Sequence, residues 1–323
     1  MKYLTRLLAA LCAFSSTGAF AQDAAHGYPN KPVRLVVPYA VGGGTDVLAR
    51  LAAKEMGEQL GQTVIVDNRP GANALAGTEF VARAAPDGYT LLMAPSGPLV
   101  MNPVLFKKLP YSPQKDFVPI SVLGRLPLLI TVNASLPVHS VKELVEYARA
   151  HPKEVTYASS SPLFQLATEL FKQKTGTAFL AIPYKSSGES TTALTGGQVT
   201  LAIADVPPLA GLIKAGKLRA LGASGAVRSA AASDVPTLME QGIADFDLVA
   251  WFMLYAPAAT PAATLTQLRT AGAAALAQPE VMTKLREQGI ESRPMRAEEM
   301  QPFNKTELGK WAGLVKRSGA QVD

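Results

Sequence analysis

Val33-Arg34-Leu35-Val36-Val37-Pro38-Tyr39-Ala40-Val41-Gly42-Gly43-Gly44-Thr45-Asp46 runs from a β-branched apolar stretch through a glycine turn to two polar residues. Such a run favours a strand, and three glycines let the chain reverse sharply. Leu48, Leu51, Ala52, Met56 and Leu60 then recur at helical spacing, with Gly61 placed to stop the helix. A second strand is expected at 64–66, a turn at 68–71, an alanine-rich helix at 72–85 and a third strand at 90–94. The order β-α-β-α-β predicts a parallel sheet with right-handed crossovers.

The pattern continues along the chain. Strands are expected at 128–132, 155–158, 179–183, 199–204, 218–222 and 248–255. Helices are expected at 140–151, opened by the capping-box pair Ser140 and Glu143, and at 163–174, 208–215, 262–277, 280–288 and 297–316. The apolar strands read as buried on both faces, as parallel strands are. A length of 323 residues fits two domains, and 48% hydrophobic with only 17% charged residues excludes a disordered chain.

The N-terminus has the layout of a secretory signal peptide. Lys2 and Arg6 precede the apolar run 7–14, and small residues lead to Ala19-Phe20-Ala21. The run is shorter than the roughly 20 residues that span a bilayer. Cleavage after Ala21 removes two cations and no acid, so it lowers the formal charge of +6 by two. It also removes Cys12, the one cysteine, which leaves neither a disulfide nor a thiol nucleophile. Lipidation at Cys12 would need a small residue before it, and Leu11 stands there. The mature product is expected to be soluble, exported and periplasmic.

Most site chemistries fail on spacing. Gly42 and Gly44 fit a dinucleotide fingerprint and Asp67 stands where a ribose-binding acid would, but Val47 occupies the third glycine position. Gly211 to Lys217 has phosphate-loop spacing but continues with Leu218, and it runs from a helix into a strand. It reads instead as a helix end, with Lys214, Lys217 and Arg219 on a solvated face. The only histidines are His26, His139 and His151, and neither a metal-ligand spacing nor a nucleophile elbow is present. Basic residues are not interleaved with aromatics, so no nucleic-acid surface is expected. No cofactor, metal or catalytic residue is expected. The junction 39–46 remains, and it has two readings: an anion seat at a helix N-terminus, or a plain tight turn.

The chain resembles the Bug-type solute-binding proteins of tripartite tricarboxylate transporters. The likeness is carried by Tyr28-Pro29-Asn30-Lys31-Pro32-Val33, the glycine loop with Asp46, Val66-Asp67-Asn68-Arg69-Pro70-Gly71-Ala72 and Ala82-Arg83-Ala84-Ala85-Pro86-Asp87-Gly88-Tyr89-Thr90. It continues through Asn102-Pro103, Leu109-Pro110-Tyr111, Lys115-Asp116-Phe117, Pro183-Tyr184-Lys185, Gly196-Gly197-Gln198-Val199 and 214–221. Asp234-Val235-Pro236-Thr237 and Trp251 complete it.

The resemblance implies an α/β, type II periplasmic-binding-protein fold, with two lobes closing on a ligand cleft. It implies a first lobe from 22–127 plus 252–323 and a second from 128–251. It further implies a monomer that binds a small organic acid and delivers it to the membrane permease subunits of the transporter. Presentation to a receptor kinase is an alternative role, and an exported enzyme acting on an organic acid is an alternative of another class. The ligand residues carried over are Tyr39, Gly42, Gly43, Gly44, Thr45, Asp46, Asn73, Leu75 and Ser96 on the first lobe. On the second they are Ser160, Ser161, Gln165, Tyr184, Lys185 and Asp205.

Two stretches depart from the family pattern. After Gly71-Ala72 the chain reads Asn73-Ala74-Leu75 instead of paired glycines and a polar residue. The loop Ser159-Ser160-Ser161-Pro162-Leu163-Phe164-Gln165 is short, with Gln165 in place of histidine. Apolar side chains thus replace polar donors at Leu75, Leu163 and Phe164. Either the ligand is an aromatic or otherwise apolar-bodied carboxylate, or these side chains pack against the protein itself.

Overall fold

A computed structural model describes residues 27–318 apart from Ala231, Gln288 and Pro294. The signal-peptide reading of 1–21 lies outside the described residues. The glycine junction forms as the sequence predicts. Strand β1 (Val33–Val37) leads through Gly42 and Gly43 into α1 (Gly44–Leu60), which Gly61 ends in the left-handed conformation. Then come β2 (Val64–Asn68), a single turn at Ala72–Ala74, α2 (Leu75–Ala82), β3 (Thr90–Pro95), a turn at Gly97–Met101 and the short α3 (Asn102–Leu105). The long β4 (Phe117–Asn133) is followed by α4 (Val141–Ala150), β5 (Thr156–Ser159), α5 (Pro162–Thr175), β6 (Leu180–Pro183) and α6 (Ser187–Thr195). The chain continues through β7 (Leu201–Asp205), α7 (Pro207–Lys214), β8 (Leu218–Ala223) and β9 (Val249–Pro257) to α8 (Ala262–Ala277), α9 (Pro279–Glu287) and α10 (Ala297–Ser318).

Two α/β lobes share one curled sheet with the order β2-β1-β3-β9-β4-β7-β5-β6, and β8 pairs with β4 off that path. The parallel sheet expected of the first β-α-β-α-β run forms, but the likeness of the later apolar strands to parallel ones is corrected at β4 and β9. The triplets β2-β1-β3 and β6-β5-β7 are parallel, but β9 and β4 run antiparallel to every partner. The sequence reading placed only the second half of β4 in a strand. Pro119 lacks a ladder donor and Gly124 weakens the strand pattern, and the register indeed shifts beside both. Every residue of β9 is buried, because it lies between β3 and β4 with helices over the sheet. β6 departs from the two-face burial that its apolar sequence suggests: it is an edge strand, with Leu180 and Pro183 exposed.

The two halves of the sheet meet at one residue. β4 pairs with β9 up to Pro127, with β7 from Leu128 and with β8 from Leu129. β8 and β9 thus lie end to end along β4, and Ser224 fills the joint. Its backbone N–H donates to the Leu128 carbonyl and its carbonyl accepts from Leu248 N, both at 2.9 Å. Its hydroxyl accepts from Leu128 N at 2.9 Å and donates to the Leu248 carbonyl. Beyond this joint, α10 packs on α5.

One smaller expectation is also corrected. Lys214 and Lys217 are exposed, but Arg219 is not part of a solvated face. Its guanidinium donates to the carbonyls of Ala134, Leu136 and Val138 and holds the turn after β4.

Candidate functional site

Three helices begin at one cavity between the lobes. α1 brings Gly43, Gly44 and Thr45, α5 brings Ser161, Leu163 and Phe164, and α6 brings Ser186 and Ser187. The sequence starts these helices with small or hydroxyl residues for a local reason. Ser161 Oγ accepts from Phe164 N, and Ser186 Oγ accepts from Glu189 N, the usual side-chain cap. α1 differs, because its first residue is preceded by Gly43, which has no side chain to cap with. The positive dipole end of α1 therefore faces the cavity without a capping side chain of its own. Tyr39, Ala40, Pro95, Gly97, Ser160, Asp205, Ala250 and Phe252 complete the wall.

Among the described residues, no lysine, arginine or histidine lines this cavity, and its one charged side chain is Asp205. Asp205 ends β7 in one lobe, and its Oδ2 accepts the Gly44 N–H of the other at 3.1 Å. A Cβ at position 44 would overlap that oxygen, so the close approach requires glycine. Burial pushes the Asp205 carboxyl above the usual range, against the Ser187 hydroxyl, its own backbone N–H and the Gly44 N–H, which pull it down. The free volume is about 50 Å³, room for a few water molecules. A roomier outer cavity of about 420 Å³ shares Tyr39, Ala40, Ser160 and Ser161, and adds Asn73, Tyr184, Lys185 and Glu189.

The sequence-predicted residues therefore separate into three groups. Tyr39, Gly43, Gly44, Thr45, Ser160, Ser161 and Asp205 meet at the inner cavity, and Asn73, Tyr184 and Lys185 stand at the outer one. The rest line neither cavity. Asp46 turns back into its own loop, where it accepts from Gly42 N, Arg50 and Asn68. Ser96 Oγ accepts from Trp251 N at 2.9 Å, and Leu75 packs against the lobe core. Gln165, one residue past Phe164 on α5, lines neither cavity.

The family model for the tripartite tricarboxylate transporter family receptor matches residues 48–320. The chain belongs to this receptor family. It is 36% identical to BugT of Bordetella pertussis over 323 residues, covering 99% of each chain. Among solved structures, the periplasmic binding protein BugD superposes with a TM-score of 0.87 at 32% identity, covering 91% of this chain and 99% of that one. Rpa4515 of R. palustris, solved with adipate, superposes with a TM-score of 0.88 at 37% identity, covering 91% and 100%. The receptor fold is thus that of a solute-binding protein. Among the described residues, no helix of this receptor is long and apolar enough to cross a membrane.

Some lining residues were not among those predicted. Ser186 and Ser187 belong to α6, a helix that the sequence reading missed because its Ser-Gly-Glu-Ser-Thr-Thr start carries no apolar stripe. The pattern of a serine followed three residues later by Glu189 was the available signal. Ala250 and Phe252 come from β9, where strand periodicity gives no hint of a cavity.

Proposed function

We propose that this receptor is an exported, monomeric protein that closes on a small organic carboxylate and delivers it to the permease of a tripartite tricarboxylate transporter. The observation that carries the reading is the convergence of three helix N-termini on a cavity lined by no cationic side chain. Backbone N–H groups and aligned dipoles bind an anion there without a counter-charge. The Lys2-to-Ala21 layout supports export and cleavage after Ala21. The partner switch of β4 at Leu128 and the start of β9 at Val249 support lobes that divide near 128 and 251.

The walls favour a ligand class. Leu163, Phe164, Pro95, Ala250 and Phe252 surround the cavity, which suits a carboxylate with an apolar body rather than a citrate-like polyacid. The adipate found with Rpa4515 is a carboxylate of that kind. Leu163 and Phe164, where the family carries polar donors, thus face the cleft, whereas Leu75 packs inside its lobe.

A thermal-shift panel of mono-, di- and tricarboxylates tests this reading. A fitting acid at 100 times its Kd adds about 2.7 kcal/mol of stability. Stabilisation by citrate-like polyacids alone would overturn the apolar-bodied class, and stabilisation by no carboxylate would overturn the reading itself. Gly43→Trp supplies the site control. A Cβ at position 43 meets nothing within 4 Å, so the substituent is rooted without a backbone clash, and the indole occupies the cavity that a ligand would fill. The variant should melt like the parent when empty and lose the ligand-induced shift.

A further inference from the structure

One group in the cavity is at odds with anion binding. Asp205 is 5% exposed, and its Oδ1 is buried without a well-formed hydrogen bond, although the Ser187 hydroxyl stands beside the carboxyl. Its Oδ2 takes the Gly44 N–H, the very donor that a ligand carboxylate would use at the start of α1. We infer that Asp205 is a resident carboxyl in the anion seat, holding the two lobes together when the cleft is empty, and that a ligand carboxylate entering this seat brings a proton onto Asp205. The second half of this inference rests on the carboxylate-binding reading above.

The argument is one of geometry and charge. Two ionised carboxyl groups in one narrow cavity with no cation in its wall repel each other, which favours a proton on one of them. The charged and titratable neighbours do not relieve the conflict. Tyr39 is the other titratable group on the inner wall, and burial pushes its phenol further up. Asp46, on the α1 side, is turned to Arg50 and Asn68. Lys185 and Glu189 stand at the outer cavity, where the Glu189 carboxylate accepts from Lys185 N. β4, β5 and β9 bring no charged side chain to the inner wall. A proton taken from solvent resolves the conflict. Asp205 becomes a neutral acid, its O–H donates to the ligand carboxylate, and the Gly44 N–H passes to the ligand. This arrangement also satisfies an oxygen that is otherwise buried without a well-formed hydrogen bond.

Two measurements test the inference separately. The first is small-angle scattering of the ligand-free protein. The parent should be compact, whereas Asp205→Ala, which removes the resident carboxyl, should show a larger radius of gyration. Gly44→Ala should do the same by pushing on the carboxyl from the opposite lobe. Equal radii for the parent and both variants would overturn the latch. The second is calorimetric titration with adipate between about pH 6.5 and 8.5, where adipate stays ionised. Coupling to one proton makes the parent lose up to about tenfold in affinity per pH unit. Asp205→Asn should bind tighter than the parent at the upper end of the range and show a flat profile. A flat profile in the parent would overturn the proton uptake. If adipate and the rest of the carboxylate panel fail to bind at any pH, the proposed function fails, and the scattering result alone decides the latch.

Discussion

Asp46 shows how a residue can follow a binding motif and still act on the fold. Its carboxylate ties the Gly42 N–H, Arg50 and Asn68 together, so it fixes the loop that presents Gly43 and Gly44. Burial pushes its pKa up, but the hydrogen bonds from Arg50, Asn68 and Gly42 outweigh that and hold it below the usual range. Asp46→Ala should therefore cost about 2 kcal/mol, read from urea midpoints at neutral pH. A depressed carboxyl stabilises the fold above its unfolded pKa and loses that contribution as the pH falls through its folded value. The gap between parent and variant should close below about pH 4. A gap of constant size would mean that the loss is one of packing. The residues that carry the family resemblance behave in a similar way. Tyr28 donates to the Gly88 carbonyl at 2.7 Å, Tyr89 Oη accepts from Asn30 N, and Lys31 stands over the Tyr89 ring. That motif is a clasp on the lobe, and its residues line neither cavity.

At the scale of elements, the joint between β4, β8 and β9 matters most. Ser224 satisfies backbone groups of Leu128 and Leu248 with both its main chain and its hydroxyl. Ser224→Ala leaves the Leu128 N–H buried without that partner. The expected cost is about 1–3 kcal/mol, measured by thermal or urea unfolding. A loss within experimental error would show that the hydroxyl does not bear on the joint. Most elements were legible because apolar periodicity reports burial directly. Helix α8 was expected at 262–277 and spans Ala262–Ala277. The Ser140 cap on α4 likewise forms, with Oγ accepting from Glu143 N at 3.2 Å. The antiparallel course of β4 and β9 was not legible, because strand direction depends on which partners a strand meets, and those lie far away in sequence.

Across the whole molecule, one hydrophobic cluster runs through both lobes. It joins Leu35 and Leu91 in one lobe to Leu128, Tyr157, Phe171 and Phe246 in the other without a break. A shared sheet and core predict cooperative unfolding of the lobes together. Trp251 lies on β9 and Trp311 on α10, both buried. Their fluorescence and the far-ultraviolet circular dichroism of the whole chain should give the same urea midpoint. Separate midpoints would show that the lobes unfold independently.

The sequence by itself determined the alternation of strands and helices, the glycine loop that opens α1, and membership of a receptor family. Each of these is local or carried by ordered motifs, and periodicity, caps and turns are encoded over a few residues. Only the tertiary structure decided which motif residues face the cleft. It turned Asp46 and Ser96 into scaffold, brought Ser186 and Ser187 to the cavity, and set Asp205 against Gly44 across 161 positions of chain. Such a meeting depends on how two lobes close on each other, and no local pattern encodes a contact between their facing surfaces.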